Sequence, residues 1–332
     1  MSDLLRPLVA ILADGHFHSG SELGAALGIS RAGVWKYIAK VADLGLEVHS
    51  VRGKGYRLAE RVSLLDPALI RRELDALTSD RLHHLEVLEI TDSTNTHAMR
   101  ALQDGALKPQ TGGFAVYLAE RQTSGKGRRG RQWVSQYGRH IAMTLVKQVD
   151  AGASGTDGMS LVVGLGVIRA LHALGITQAG VKWPNDIVCD GKKLAGILME
   201  ITGDVTGLCQ LLIGIGINTR CDDKAMTAVA QPWTDLYRLT GELSDRNVLA
   251  ATLIRHIMAV MATYENDGMG AFLAEWQQVD AMYGKQVVLT TGNHQRMGRA
   301  SGIAENGALV LETDHGLELV SGGEISLRET AS

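Results

Sequence analysis

A glycine-spaced basic segment, residues 122–133, constrains the fold more than any other part of this sequence. It reads Gln-Thr-Ser-Gly-Lys-Gly-Arg-Arg-Gly-Arg-Gln-Trp and follows an apolar, strand-like run at residues 114–118, which predicts a loop leaving a sheet. Its three glycines allow positive φ and a close approach of the backbone to a ligand. The lysine and arginines between them can donate to phosphate or carboxylate oxygens. We therefore predict a flexible loop that grips and releases a polyanionic ligand.

Two other interpretations of this segment compete with that prediction. Residues 125–130 fit the G-x-G-x-x-G dinucleotide fingerprint, but that fingerprint needs a helix next, and here more loop and a strand-like run at residues 141–146 follow. The Walker ending Gly-Lys-Ser/Thr is also missing. A solvated basic turn is the third interpretation, and the segment alone does not separate it from an anion-binding loop.

A second motif, Lys-Trp-Pro-Asn-Asp at residues 182–186, stands between two apolar runs and predicts a turn. Asp190 and Gly191 predict a hairpin turn shortly afterwards. Lys193 then lies at the start of the returning strand. Taken alone, a lysine at the base of a hairpin is more often a solvated surface residue than a catalytic one.

Five motifs, in this order along the chain, resemble those of the biotin protein ligase family. They are Asp-Ser-Thr-Asn at residues 92–95, Gly-Lys-Gly-Arg-Arg-Gly-Arg at 125–131, Lys-Trp-Pro-Asn-Asp at 182–186, Lys-Leu-Ala-Gly-Ile-Leu at 193–198 and Gly-Ile-Gly-Ile-Asn at 214–218. The resemblance spans essentially the whole chain. The N-terminal segment narrows it to the bifunctional type, which is also the repressor of the biotin operon.

The resemblance implies an ATP-dependent reaction in two steps. Biotin and ATP give biotinyl-5'-AMP and pyrophosphate, and the biotinyl group then passes to a lysine of the biotin carboxyl carrier protein, the carrier subunit of acetyl-CoA carboxylase. Biotinyl-5'-AMP would also be the corepressor of the biotin biosynthesis operon. A ligase without repressor activity is the main alternative. A lipoate or other acyl ligase with the same catalytic fold fits the motifs at residues 125–130 and 182–186 less well.

The N-terminal segment predicts a winged helix-turn-helix. Residues 5–12 have apolar side chains at helical spacing, Ser19 and Glu22 have capping-box spacing, and Ser30 can cap a further helix. A glycine-containing turn between helices, followed by a basic hairpin at residues 52–58, is typical of this DNA-binding module. A small dimerisation or lid domain with a charged face is the alternative. The candidate DNA-binding residues are Ser30, Arg31, Ala32, Trp35, Lys36, Arg52 and Lys54.

Composition narrows the functional classes. The formal net charge over 332 residues is −3, so contact with nucleic acid must come from a local basic patch. The three cysteines have no zinc-site spacing and are expected to be reduced and buried. No signal peptide is evident, and Arg169 interrupts the most apolar stretch, residues 161–176, which indicates a buried helix. We expect a cytoplasmic protein without a membrane partner.

We predict an α+β multidomain fold with three parts. The winged helix-turn-helix occupies residues 1–62, and residues 63–67 are expected to act as a hinge. Residues 63–280 form a central, mixed α/β catalytic domain of the biotin/lipoate-ligase type. From residue 284 the apolar period changes to two, with glycine-rich turns. Residues 281–332 are therefore predicted to form a small β-barrel, which by resemblance is SH3-like.

The resemblance also assigns site residues. The expected catalytic residues are Lys193, Arg128 and Asp186. The expected biotin-binding residues are Ser93, Thr94, Asn95, Gln122, Lys126, Gly127, Arg128 and Lys193. The expected adenylate- and ATP-binding residues are Gly125, Arg131, Trp133, Lys182, Asn185, Asn218, Trp233 and Arg328, with Glu324 on the same side.

The implied cofactors are ATP, biotin and Mg²⁺. No protein cage for a metal is expected, since Mg²⁺ would be held through the phosphates of ATP, with Asn185 and Asp186 nearby. The implied partners are the carrier protein, the biotin operator DNA and a second copy of this chain once biotinyl-5'-AMP is bound.

One position departs from the closest repressor-type pattern. Lys126 stands where that pattern has arginine, although lysine occurs elsewhere in the family. An ammonium group is a point charge without the bidentate fork of a guanidinium. Activity is still expected, while retention of the intermediate stays open.

Overall fold

Helices come first along the chain, a large mixed sheet follows, and a small antiparallel sheet ends it. This order confirms the predicted α+β fold with an N-terminal helix-turn-helix, a central catalytic-type domain and a C-terminal β-domain. The computed structural model of the chain describes residues 4–149, 158–204, 207–291, 294–321 and 325–329. Glu324 lies outside the described residues. The domain boundaries after residues 62 and 280 stay predictions.

The N-terminal domain consists of three helices and one hairpin. Its elements are α1 (Leu5–Leu12), α2 (Gly20–Leu27), α3 (Arg31–Asp43), β1 (Val48–Val51) and β2 (Gly55–Leu58). The predicted capping box is confirmed, because the Ser19 hydroxyl accepts from the Glu22 N–H at 3.1 Å and Glu22 Oε2 accepts from the Ser19 N–H at 2.8 Å. Ser30 Oγ accepts from the Gly33 N–H and caps α3 as predicted.

The hairpin is the wing that the sequence predicts. β1 and β2 are antiparallel, and Arg52 and Lys54 lie in the turn between them. A Cβ on Gly55 would lie 2.0 Å from the His18 carbonyl oxygen. Only glycine therefore lets the wing cross the α1–α2 connection at this distance.

Seven strands form the central sheet. They are β3 (Leu82–Thr91), β4 (Phe114–Gln122), β7 (His140–Val149), β8 (Gly180–Lys182), β9 (Asp186–Cys189), β10 (Lys192–Gly203) and β11 (Cys209–Asn218). Two further strands, β5 (Gly125–Lys126) and β6 (Gln132–Trp133), pair only with each other. The order in the sheet is β3-β4-β7-β11-β10-β9-β8, parallel between β3 and β4 and antiparallel elsewhere.

This topology brings the sequence motifs to one edge of the sheet. Since β3 and β4 run parallel, the segments that follow them, residues 92–95 and 122–133, leave the sheet side by side. β11 ends at the same edge, because Asn218 lies opposite His140 at the start of β7. β10 begins there, with Ala195 opposite Ile217. Four of the five motifs therefore meet at this edge.

Helices cover the sheet and bury its apolar side chains. They are α4 (Pro67–Arg72), α5 (Ala76–Arg81), α6 (Thr94–Gln103), α7 (Met159–Ala173), α8 (Asp223–Met226), α9 (Leu236–Thr240), α10 (Arg246–Asp267) and α11 (Leu273–Val279). α7 is buried almost all round, as its apolar sequence predicts, and a Cβ on Gly166 would lie 3.2 Å from the Ile257 Cα of α10. Among the described helices, α10 is long and apolar enough to span a membrane, but 61% of its most apolar window is buried inside the structure.

The C-terminal domain is a five-stranded antiparallel sheet. Its strands are β12 (Gln286–Thr291), β13 (His294–Ile303), β14 (Leu309–Thr313), β15 (Gly316–Val320) and β16 (Ile325–Glu329), in the order β15-β14-β13-β12-β16. The buried Trp183 donates its indole N–H to the Gly307 carbonyl oxygen at 3.1 Å. That bond fixes the turn at residues 182–186 against the C-terminal domain.

The connection between the N-terminal and central domains is fastened to α10. Arg246 Nη1 donates to the Ser63 carbonyl oxygen at 2.9 Å, and Asn247 Nδ2 donates to the Leu64 carbonyl oxygen at 2.9 Å. The segment predicted as a hinge is therefore a hydrogen-bonded connection.

A second contact joins the two domains through side chains. Arg6 of α1 pairs with Glu89 of β3, with Nη1 2.7 Å from Oε2. Tyr137 follows the basic segment, yet its ring is buried in the core of the N-terminal domain, and its hydroxyl donates to Glu89. Burial and the hydrogen bond to Glu89 raise the pKa of Tyr137. The basic segment is thereby connected to the N-terminal core within a few residues.

Candidate active site and DNA-binding face

One cavity lies at the sheet edge where the motifs meet. It has a volume of about 50 Å³ and is lined by hydroxyl, amide and cationic side chains together with glycines and a few apolar residues. The lining residues are Ser93, Thr94, Asn95, Gln122, Lys126, Gly127, Arg128, Trp133, Met143, Asn185, Lys193, Gly196, Ile197, Leu198, Gly214, Ile215 and Gly216. Every residue predicted to bind biotin is in this set.

A chain of hydrogen bonds runs along one wall of the cavity. The Thr94 N–H donates to Gln122 Oε1 at 2.8 Å, the Thr144 hydroxyl donates to Asn95 Oδ1 at 2.6 Å, and Asn95 Nδ2 donates to Glu200 Oε2 at 2.7 Å. Since both ends of the Asn95 amide are held, its oxygen and nitrogen have fixed positions. Such a row of fixed polar groups in the wall of a cavity suits a neutral polar ring.

Two members of this chain, Thr144 and Glu200, are missing from the sequence-based site. Thr144 is the one hydroxyl in the apolar strand run at residues 141–146, and it is fully buried. Glu200 is an acidic residue that follows the apolar run of β10. A polar side chain inside a strand of this kind must find a partner, because an unsatisfied buried polar group is costly. A single polar residue within or directly after an apolar strand run was the sequence signal that could have identified Thr144 and Glu200 as site residues.

The basic segment is more ordered than the predicted loop. β5 and β6 pair in antiparallel register, and the Gly127 N–H donates to the Arg131 carbonyl oxygen at 2.7 Å. Arg129 closes the turn in the left-handed region, at φ 62°. The segment is a small hairpin, and the dinucleotide-fingerprint interpretation is excluded because no helix follows it.

The cations of this hairpin divide into two groups. Arg128 is partly buried and its Nη1 donates to Asn185 Oδ1 at 3.0 Å. Burial lowers the pKa of Arg128, and the Asp186 carboxylate opposes that effect. Lys126 Nζ lies 3.9 Å from Glu200 Oε1. Arg131 is exposed and lines only an adjoining groove of about 760 Å³, which also has Lys126 and Arg128 in its wall.

Lys193 is not the solvated surface lysine that it would be in an isolated hairpin. Its side chain is 19% exposed, and its Nζ lies 2.6 Å from Asp186 Oδ1. The same ammonium group lies 6.0 Å from the ring centre of Trp133. The predicted catalytic residues Lys193 and Asp186 are thus a close ion pair at the wall of the cavity.

Two glycines of β11 make room for side chains of the site. A Cβ on Gly214 would lie 2.5 Å from Asn95 Oδ1, and a Cβ on Gly216 would lie 2.6 Å from the indole of Trp133. Any larger residue would displace these side chains. The Gly-Ile-Gly-Ile-Asn motif therefore shapes the floor of the cavity.

The residues predicted for adenylate and ATP are more dispersed. Gly125 and Arg131 line the groove, and Trp133 and Asn185 line the cavity. Lys182 and Arg328 line neither the cavity nor the groove. Burial lowers the pKa of Lys182; the Asp186 carboxylate opposes that effect, and the positive charge of Arg328 adds to it.

Asn218 is the last residue of β11, and Trp233 belongs to the segment that follows it, residues 219–238. Asn218 Nδ2 donates to the Thr234 carbonyl oxygen at 2.9 Å, so this amide holds the segment. The Thr234 N–H in turn donates to the Lys193 carbonyl oxygen at 2.9 Å. Trp233 is partly buried and its ring is covered by the Arg238 guanidinium at 4.3 Å. The segment is thus attached to the backbone of the predicted catalytic lysine.

The oxygen donors of the site suit a metal that arrives with phosphates. No group of three or more His, Cys, Asp or Glu side chains within the described residues could hold a metal ion. Asn185 accepts from Arg128, and Asp186 is paired with Lys193. These two side chains offer one or two oxygens, which is the share that proteins commonly give to Mg²⁺ in nucleotide sites.

The candidate DNA-binding residues belong to α3, its N-terminal cap and the wing turn. Six of them are exposed, four on α3 and two in the wing turn: Arg31, Ala32, Trp35, Lys36, Arg52 and Lys54. The opposite face of α3 is buried through Val34 and Val41. Ser30 acts as the helix cap, so its hydroxyl is already engaged. The arrangement is that of a recognition helix and a wing with cations facing outward.

Profiles of three protein families match the chain. Residues 87–218 match the Biotin/lipoate A/B protein ligase family, residues 5–57 match an HTH domain, and residues 283–328 match the Biotin protein ligase C terminal domain.

Curated relatives match over most of the chain. The Bifunctional ligase/repressor BirA of Escherichia coli (strain K12) is 39% identical over 97% of this chain and 96% of its own length. The protein of the same description from Bacillus subtilis (strain 168) is 31% identical over 98% of this chain and 99% of its own. The Biotin--[acetyl-CoA-carboxylase] ligase of Paracoccus denitrificans is 32% identical over 72% of this chain and 98% of its own.

A solved structure is similar over the larger part of the fold. The biotin protein ligase from Aquifex aeolicus in complex with biotin and ATP has a TM-score of 0.62 and 26% identity, and it covers 75% of this chain and 100% of that one.

Proposed function

The chain belongs to the family of biotin protein ligases that also carry a DNA-binding repressor domain, and we propose that it makes biotinyl-5'-AMP, biotinylates a carrier protein and represses biotin biosynthesis genes. The observation that carries the catalytic proposal is the cavity itself. Lys126, Arg128 and Lys193 line it together with the hydrogen-bonded wall of Asn95 and Gln122. One small space thus offers cations for a carboxylate and phosphates, and fixed polar groups for a ureido ring.

In the first step, a carboxylate oxygen of biotin attacks the α-phosphorus of ATP. A new P–O bond forms, and pyrophosphate leaves with the electrons of the broken bond. Both reactants are anions, so the site has to neutralise charge before it can align atoms. We assign Lys193 to the carboxylate and the α-phosphate, and Lys126, Arg128 and Arg131 to the phosphates. Hydrogen bonds to charged groups contribute roughly 1.5–3 kcal/mol each, enough for a few to offset the ordering of the hairpin.

Biotin requires the cavity to open. Its volume of about 50 Å³ is far below the roughly 300–1,000 Å³ of pockets that enclose small ligands. The hairpin at residues 125–133 forms the wall toward the groove and pairs with no strand of the central sheet. We therefore assign the opening to this hairpin and to the Trp133 ring that it carries.

Mg²⁺ enters this proposal with ATP. When bound, the ion would neutralise phosphate charge. Asn185 and Asp186 are the side chains that would hold it, once ligands displace their present partners Arg128 and Lys193.

In the second step, the amine of a carrier-protein lysine attacks the acyl carbon of biotinyl-5'-AMP. An amide bond forms, and AMP leaves with the electrons of the anhydride bond. The amine has to lose a proton in this step. Asp186 is our candidate acceptor, because it is the carboxylate that already lies 2.6 Å from Lys193 Nζ.

Repression follows from the same intermediate. We propose that bound biotinyl-5'-AMP holds the hairpin and the segment at residues 219–238 in one arrangement, and that this arrangement completes a homodimer surface. Two winged helices then bind two half-sites of the operator, and the second contact becomes intramolecular. When unbiotinylated carrier is scarce, the intermediate persists and genes are repressed. Such a protein works in the cytoplasm, where ATP, carrier and DNA are present together.

The ligase proposal is tested with ATP, labelled biotin and the purified apo-carrier domain of acetyl-CoA carboxylase. We expect covalent label on the carrier only when ATP is present, together with release of pyrophosphate. A lipoate ligase would label the lipoyl domain with lipoate and leave the carrier unlabelled. Absence of both label and pyrophosphate would overturn the enzyme proposal.

The repressor proposal is tested separately by footprinting on the promoter of the biotin synthesis genes. We expect protection with biotin and ATP, and much weaker protection without them. A protein that labels the carrier yet protects no promoter DNA is a ligase without repressor activity.

A further inference from the structure

The recognition helix α3 carries a solvent-exposed tryptophan, Trp35. The Trp35 side chain is 64% exposed, which is unusual for the largest apolar side chain of a chain in which Trp183 and Trp276 are buried. In the part of the chain that the structure describes, its indole has no hydrogen-bond or ring partner.

The exposure follows from the face of α3 on which Trp35 lies. Val34 and Val41 are fully buried on the opposite face, so the helix has no freedom to turn Trp35 inward. Ala32 and Ala39, three residues before and four after, are exposed and small. The indole therefore projects beyond its neighbours along this face.

The positive charges around Trp35 indicate a polyanionic partner, and the exposed indole indicates that this partner has an apolar group at the contact. Arg31, Lys36 and Lys40 are exposed on the same helix, and the wing turn adds Arg52 and Lys54. Among the exposed charged side chains of α3 and the wing turn, these five are positive and Asp43, at the last position of α3, is negative; the protein as a whole carries a net charge of −3. A major groove admits an α-helix, and the C5-methyl group of thymine is the apolar group on its base edges.

We propose that Trp35, supported by Ala32, reads thymine methyl groups in the operator half-site. The proposal rests on the DNA-binding function above. It adds a sequence preference, which is thymine at the base pairs that the Trp35 indole contacts. The surrounding cations position the helix on the phosphates and carry no sequence information themselves. Trp35 lies in the second turn of α3, within reach of base edges when the start of the helix enters the groove.

The test begins with selection from random-sequence DNA by the full chain in the presence of biotin and ATP. Each thymine of the selected half-site is then replaced by uracil, which removes only the methyl group. We expect one or two positions at which uracil weakens binding about fourfold, the effect of uncovering one methyl-sized apolar group. Trp35→Ala should bind thymine and uracil duplexes equally, and Trp35→Phe should keep the discrimination. Thermal unfolding verifies that both variants are folded.

Lys36→Ala is the matched control. It should weaken binding to thymine and uracil duplexes alike and reduce the salt dependence, as loss of a phosphate contact does. Equal binding of thymine and uracil duplexes by the wild-type chain at every position would overturn the proposal. A Trp35→Ala variant that keeps the wild-type ratio of thymine-duplex to uracil-duplex affinity would overturn it too. If that variant also fails to dimerise in the absence of DNA, the indole belongs to a protein interface. If the wild-type chain selects no sequence at all, the repressor function fails instead.

Discussion

At the residue scale, Lys193 and Asp186 form the pair on which the proposed chemistry depends. Their 2.6 Å contact neutralises the ammonium group while the cavity is closed. A substrate carboxylate or phosphate has to compete with Asp186 for that group, and Arg128 and Lys126 provide the additional positive charge. The pair thereby avoids an unpaired, partly buried cation.

Arg128 should control how long the intermediate stays bound. We expect Arg128→Gly to release biotinyl-5'-AMP about 10- to 100-fold faster, because one hydrogen bond to a charged group is worth roughly 1.5–3 kcal/mol. Rapid gel filtration of the enzyme with labelled biotin and ATP measures the release. Arg129→Gly is the matched control, since it removes an exposed neighbouring guanidinium at φ 62°, where glycine is relaxed. Release of biotinyl-5'-AMP from Arg128→Gly at the wild-type rate would contradict the assigned role.

His140 should make the fold sensitive to acid. Burial holds its pKa at about 3, well below the ordinary 6.5, and the nearby Arg246 charge adds to this effect. Below pH 6.5 the unfolded chain binds a proton that the folded chain refuses, so stability falls as pH drops toward 3. In His140→Gln we expect the slope between pH 6 and 4 to be shallower by up to about 1.4 kcal/mol per pH unit. Urea unfolding at several pH values measures it, with His315→Gln as the exposed control; an unchanged slope in His140→Gln would count against this explanation.

At the scale of elements, β11 shapes the site through its glycines. We expect Gly216→Ala to weaken biotin binding at least tenfold with little loss of thermal stability. The new methyl group would lie 2.6 Å from the Trp133 indole and would therefore displace that ring. Isothermal titration with biotin and a thermal melt measure the two effects. Gly270→Ala is the control, since a Cβ there meets nothing within 4 Å. Biotin affinity equal to that of the wild-type chain would show that the position of the Trp133 ring does not govern biotin binding.

Much of each element could be predicted from the sequence. The caps at Ser19 and Ser30, the wing and the buried α7 follow from local patterns that the structure confirms. The small hairpin at residues 125–133 does not, because its two-residue strands have no apolar period. The hydrogen-bonded row through Thr144 and Glu200 is also outside local prediction, since its members come from separate strands.

At the scale of the whole molecule, the N-terminal domain is joined to the catalytic domain by charge. Arg6 lies 2.7 Å from Glu89 and 3.6 Å from the fully buried Glu120, which Arg246 contacts from the other side. Tyr137 inserts into the N-terminal core a few residues after the basic hairpin. We propose that occupancy of the cavity reaches the DNA-binding face through these contacts. The sequence could not show it, because the contacts join residues more than 80 positions apart.

Arg6→Ala should loosen this junction. We expect the free energy of unfolding to fall by roughly 1–3 kcal/mol. This is less than the full cost of breaking a buried pair, because the Arg6 side chain is about one-third exposed. Hydrogen exchange of the α1 amides should quicken about tenfold for each 1.4 kcal/mol. Arg72→Ala, an exposed arginine of α4, is the control. Exchange in α1 as slow as in the wild-type chain would remove the junction from the mechanism.

Retention of AMP by the enzyme tests most directly whether these cations make and hold a mixed anhydride. The chain is incubated with biotin, Mg²⁺ and ATP labelled in the α-phosphate, separated rapidly from free nucleotide, and then mixed with apo-carrier. We expect about one labelled AMP per wild-type chain, discharged by the carrier, and at least 100-fold less on Lys193→Met, with the exposed neighbour variant Lys192→Met behaving as wild type. Label that stays on Lys193→Met, or that never accumulates on the wild-type chain while the carrier is absent, would contradict the proposed site.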